Sequence, residues 1–165
     1  MSTMTAVSAV DESVVNAWAF TGWKCCATRA GSVTHPDELV AVDAEWHAAT
    51  VPGTAASALS TAGRWDFHRP VDIDASDWWW CATFAQPLSD TPIELVFDGL
   101  ATLAEVWLNG QRVQATDNMF RQYRVDITDC VLTENSLAIV FRSLTSALQQ
   151  KRPRPRWKTN LVDHQ

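Results

Sequence analysis

Residues 103–110 read LAEVWLNG. Ala104, Val106 and Leu108 alternate with Glu105, Trp107 and Asn109, and the run stops at Asn109-Gly110. A period of two is what a strand with one buried face requires. Asn-Gly tolerates the two positive-φ positions of a type I′ hairpin turn, which sends the chain back through Gln111 to Ala115. The signature recurs. In PIELVFDGL (92–100), Ile93, Leu95 and Phe97 oppose Glu94, Val96 and Asp98. FRQYRVDIT (120–128) sets Phe120, Gln122, Arg124 and Asp126 against Arg121, Tyr123, Val125 and Ile127. NSLAIVFRSL (135–144) sets Leu137, Ile139 and Phe141 against Ala138, Val140 and Arg142. WWWCATFA (78–85) is strand-like through its aromatic residues, and WAFTGWKCCATR (18–29) reads as a first strand interrupted near Gly22.

One segment breaks the pattern. Trp46 to Val51 is extended, Pro52-Gly53 supplies a turn in which Gly can take positive φ, and Thr54 is a good N-cap for a short Ala-rich helix that Gly63 ends. Short strands, Gly/Asn/Asp turns and one short helix describe an antiparallel sandwich rather than alternating βα units. The expected division is a loose leading segment (1–16), a β domain (17–146) and a Pro/Arg-rich segment (147–165). KRPRPRW (151–157) cannot be a central strand, because proline lacks a ladder donor. WKTNLVDHQ (157–165) looks like the start of another ordered element, so the chain looks cut from something longer.

Composition narrows the functional classes. At 165 residues the chain can bury a real core. No apolar run approaches the length of a membrane span, and residues 1–10 contain no basic residue and no secretory pattern. The net charge is −6, yet residues 151–165 hold five of the thirteen basic residues and one of the nineteen acidic ones. An acidic body argues against nucleic acid as a partner, and membranes are likewise not expected. Cys25, Cys26, Cys81 and Cys130 form no Cys-x-x-Cys pair. They read as buried free thiols in a reducing, cytoplasmic setting, with Cys25 and Cys26 on opposite strand faces.

The sequence carries no phosphate loop, nucleophile elbow or metal-ligand spacing, so no cofactor, metal or catalytic residue is expected. His35, His47, His68 and His164 are scattered. The nine tryptophans carry the remaining question. Each can bury roughly 150–250 Å², and most of them read as core. In WWW, however, Trp79 must point away from Trp78 and Trp80, and Trp107 shares its face with Glu105 and Asn109. Both are therefore expected to face outward, placed to stack on a sugar ring or to dock another domain.

The order WHAATVPGTAASAL, DWWWCATFAQP, IELVFDGLATLAEVWLNGQRV, DNMFRQYRVDIT, NSLAIVFRSL resembles the N-terminal domain of glycoside hydrolase family two, its β-mannosidase branch above all. The resemblance runs from Trp18 to Leu144 and departs at Ala101-Thr102, where many members read Asp-Thr. It implies a jelly-roll sandwich of the galactose-binding type, in an enzyme whose later (β/α)₈ barrel carries both catalytic glutamates. The expected partners are a carbohydrate, such as a β-mannoside, and the chain's own downstream catalytic domains. In relatives, a loop after the jelly-roll strands offers an acidic residue to sugar hydroxyls. By resemblance, Asp163 in LVDHQ is the residue here that would do so.

Overall fold

The computed structural model describes residues 4–9, 20–66, 68, 70–86 and 92–149. The strands are β1 (Met4–Ala9), β2 (Thr21–Arg29), β3 (His47–Ala48), β4 (Ser76–Ala85), β5 (Ile93–Phe97), β6 (Ala104–Leu108), β7 (Gln111–Thr116), β8 (Tyr123–Asp126) and β9 (Glu134–Phe141). They form a six-stranded sheet, β3-β2-β4-β9-β6-β7, and a three-stranded sheet, β1-β5-β8, every described pairing being antiparallel. This is the all-β sandwich that the alternation predicts.

The core lies where the predicted apolar faces meet. Ile93, Leu95 and Phe97 of β5 pack with Ala104, Val106 and Leu108 of β6, Leu137 and Ile139 of β9, and Trp78 and Trp80 of β4. At about 25 cal/mol per Å², each tryptophan contributes at most ~4–6 kcal/mol before denatured-state burial is subtracted. Turn chemistry fixes the register. Asn109 and Gly110 have φ of 52° and 79°, as a type I′ turn requires. Near Gly22 (φ 71°) the β2–β4 register shifts between Thr21 and Lys24, the interruption expected there.

Helix α1 (Ala55–Thr61) begins and ends as its sequence signals say. Thr54 Oγ1 accepts from the Ser57 N–H at 3.1 Å and Ser57 Oγ accepts from the Thr54 N–H at 3.0 Å. Gly63 (φ 69°) donates to Ser60 O and Arg64 to Leu59 O, the paired bonds of a Schellman ending. Gly53 corrects the expectation for its turn: it is required by a close approach rather than by positive φ. A Cβ there would lie 2.1 Å from Thr50 O.

Two elements are additions to the single helix expected. Helix α2 (Leu144–Leu148) follows β9, capped by Ser143 Oγ, which accepts from the Ser146 N–H at 3.1 Å. A strap, residues 30–46, carries a 3-10 turn at Pro36–Ala41 and crosses the outer face of the larger sheet. Its Val33 and Leu39 join Cys26, Trp79, Ala138 and Val140 in a second apolar cluster, against which Trp46 and Trp107 pack. The larger sheet is thus covered on both faces.

Candidate functional site

Strand parity places Asp77 and Trp79 of β4, Glu105 and Trp107 of β6, and Val140 and Arg142 of the β9 region on the outer face of the larger sheet. Trp79 does point away from Trp78 and Trp80, but it is 0% exposed. The expectation that it faces outward as an open platform is therefore corrected: the strap's Val33 and Leu39 close over its face. Trp107 is half-buried, with the His35 ring edge-on to it at 5.0 Å between centroids. The same histidine ties the strap to the hairpin, its Nε2 lying 2.9 Å from Gly110 O. The indole N–H groups of Trp79 and Trp107 are buried without a hydrogen-bond partner.

Beside Trp79 lies a charge network that the sequence does not announce. The Arg142 guanidinium donates through Nε and Nη2 to the two oxygens of Glu105, at 2.9 and 3.1 Å. Its Nη1 donates to Asp77 Oδ2 and to Val33 O, both at 2.9 Å. It also sits 5.5 Å from the centre of the Trp79 ring. Asp77, 1% exposed, further accepts the Gly31 and Ser143 N–H groups at 3.0 and 2.8 Å. Burial opposes the charge on Arg142, but its bonds to Glu105 and Asp77 more than offset this and raise its pKa. Through Arg142, which also reaches Val33 O, and through the Gly31 N–H on Asp77, the network ties the strap to the sheet. The signal for its carboxylates in the sequence is parity: Asp77, two residues before Trp79, and Glu105, two before Trp107, belong to the same face.

A cleft of about 170 Å³ opens at one end of the inner core. Its walls include Trp78, Trp80, Phe141, Val51 and Leu100, and Thr54, Asp74 and Ser76 stand among its polar residues. Trp80 and Phe141 meet edge-to-face with centroids 6.5 Å apart. The rim is fixed by the Trp78 indole N–H donating to Ile73 O at 3.0 Å and by the Ser143 hydroxyl donating to Asp74 O at 2.7 Å. Asp74 itself is exposed. Such a cleft can take up an apolar group, and its lining carries both a carboxylate, Asp74, and a cation, Arg142. Sequence periodicity shows that these rings face inward but not that a gap remains between them.

The thiols of Cys25 and Cys26 lie on opposite faces of β2, in the inner and outer clusters respectively. Burial, followed by the neighbouring Cys81, pushes Cys25 up to about 11 and Cys26 to about 12. All four cysteines are free. Among the described residues, no group of His, Cys, Asp and Glu is arranged to hold a metal ion, and no helix is long and apolar enough to cross a membrane. Asp163, together with Trp18 and Trp157, lies outside the described residues.

Comparison with known proteins adds the following. A family described as "Glycosyl hydrolase 2 galactose-binding domain-like" matches residues 23–165. The chain is 37% identical over 105 residues to a β-mannosidase of Mus musculus and 35% identical over 105 residues to that of Rattus norvegicus. Each alignment covers 58% of this chain and 12% of the relative, so the chain spans a small fraction of these relatives' length. A crystal structure of β-D-mannosidase from Dictyoglomus thermophilum superposes on 79% of this chain and 16% of its own, with a TM-score of 0.63 and 23% identity, a likeness of fold.

Proposed function

The chain belongs to the glycosyl hydrolase 2 galactose-binding-domain-like family, and from that premise we propose that it is the N-terminal sugar-binding and scaffold domain of a retaining exo-β-glycosidase, a β-mannosidase. In this reading the 165 residues are not catalytic alone. The whole enzyme removes terminal β-mannosides using carboxylates supplied by downstream domains, and this domain braces them and borders the pocket, with Asp163 as its sugar-binding residue. The observation that carries the reading is the family match over residues 23–165, joined to identity with β-mannosidases. Retaining hydrolysis needs two carboxyl groups free to face a glycosidic bond; Asp77 and Glu105, which the outer face brings together, are both bound to Arg142 and are not such a pair. A cytoplasmic setting belongs to the same proposal and is supported by the four free thiols.

The alternatives are an autonomous carbohydrate-binding module and a domain that docks through exposed tryptophan. Both lose the Trp79 platform, which is covered, and are left with the half-buried Trp107. Incubation of the purified 165-residue chain with p-nitrophenyl β-mannoside tests the proposal. No release of nitrophenol is expected from it, and release from a longer product of the same gene is. Turnover by the 165 residues, or a longer product inert on β-mannosides, overturns it. Calorimetric titration with manno-oligosaccharides addresses the first alternative, since only an autonomous module should release measurable heat.

A further inference from the structure

The cleft beside Trp78 and Trp80 is a feature that the scaffold role leaves unused. Three of its lining residues are aromatic, and strand register brings them together. Trp78 and Trp80 share the inner face of β4, and Phe141 of β9 is the cross-strand partner of Trp78. The Trp80 and Phe141 rings stand at 84° with centroids 6.5 Å apart. A group at the corner between them can therefore lie within about 6 Å of both, the range over which a cation is attracted to an aromatic ring. The Trp78 ring is fixed by its N–H bond to Ile73 O. Val51, Leu100 and Leu144 add aliphatic surface.

Charge decides which apolar group fits. Two charged residues belong to the lining, Asp74 and Arg142. Arg142 is bonded to both Glu105 and Asp77, and the three together carry one net negative charge. The Asp74 carboxylate makes no hydrogen bond or ion pair among the described residues; only its backbone oxygen is engaged. The field in the cleft thus favours a cation. An ammonium that carries N–H groups would give up its water and find few acceptors on these walls. A fully methylated ammonium has no N–H to satisfy. Its methyl groups pack on aliphatic surface, and its charge is attracted to aromatic faces. Its bulk is comparable with that of benzene, which apolar cavities of about 150 Å³ take up, and the cleft measures about 170 Å³.

We propose that the cleft is an aromatic cage for a small quaternary ammonium compound of the choline type. Its methylated head lies among Trp78, Trp80 and Phe141, and its hydroxyl end is turned toward Thr54 and Ser76. A phosphate on that end would meet the Asp74 charge, so the free alcohol is favoured over its phosphorylated form. The proposal requires no sugar and stands whether or not the β-mannosidase reading does.

Titration of the isotope-labelled 165-residue chain with choline chloride at constant ionic strength, followed by two-dimensional NMR, tests it. The expected result is a saturable response with a Kd on the order of millimolar, largest at residues 51–55, 73–80, 100–101 and 141–144. The neutral carbon analogue dimethylbutanol keeps the shape, loses the charge and should bind about tenfold more weakly. Phe141→Leu should weaken choline binding about threefold or more. Asp74→Asn, at an exposed position that leaves the core intact, should weaken it about twofold or more. Phosphocholine and a trimethyl-lysine peptide present the same head group as a lipid or a protein would, and both should bind no more tightly than choline. Circular dichroism monitors the fold of each variant. No saturable response at about 50 mM choline, shifts largest elsewhere, equal affinity for the neutral alcohol, tighter binding of either larger ligand, or an affinity unchanged in Asp74→Asn would each overturn the proposal.

Discussion

Removing Arg142 tests whether the outer face is held by charge as well as by apolar packing. Arg142→Ala deletes two bonds to Glu105, one to Asp77 and one to Val33 O. Breaking one partner out of a buried ionic group costs about 3–5 kcal/mol, because the remaining charge is left uncompensated. Asp77 keeps the Gly31 and Ser143 N–H donors, and Arg142 and Glu105 side chains are 22% and 21% exposed. These features pull the cost toward the lower limit. The lost contact with the Trp79 ring adds roughly 0.5–1 kcal/mol. The expected loss is about 3–4 kcal/mol, or a Tm lower by roughly 6–16 °C for a domain of this size. Urea titration followed by tryptophan fluorescence measures it, with an unchanged m-value confirming that only stability moved. In an Asp77→Asn background the same substitution should cost at least about 1 kcal/mol less, since no buried carboxylate is then stranded. A loss under about 1 kcal/mol, or strict additivity of the two changes, would refute the reasoning.

Two further outcomes follow from groups whose ionisation the fold alters. Cys25 and Cys26, fully buried and with pKa values of about 11 and about 12, should resist iodoacetamide at pH 8 in the native chain and react in urea. Mass spectrometry showing equal labelling in both conditions would contradict their placement. Glu38 has a pKa held below its ordinary 4.5, first by the Thr34 N–H and then by the His35 N–H, which donate to its carboxylate at 2.7 and 3.3 Å. A carboxyl with a depressed folded-state pKa stabilises above its unfolded value, and that contribution disappears as pH falls through the folded one. Glu38→Gln should therefore be less stable than the parent at pH 7, with the gap closing below pH 4.5. Thermal melts that keep the same gap at both ends of this range would show that the carboxylate is not what anchors the strap's first turn.

The sequence determined most of the strands and their faces, because these rest on local physics; the exceptions are β1 (Met4–Ala9), which pairs with β5 inside the segment expected to be loose, and β8, which spans only Tyr123–Asp126 of the alternating run. Period-two alternation assigns Val106 and Leu108 inward whatever the partner. Asn109-Gly110 and Thr54 act through backbone dihedrals and hydrogen bonds within a few residues. Parity even separated Trp79 from Trp78 and Trp80. What covers a face is another matter, since alternation says which way a side chain points and nothing about what lies there. Only the tertiary structure could bring Val33 and Leu39, some forty residues upstream, over Trp79. It likewise joined Asp77, Glu105 and Arg142 across three neighbouring strand segments through pairings no local pattern encodes. The same long-range packing left a gap beside Trp80, because cavities arise where separate elements fail to fill the space between them.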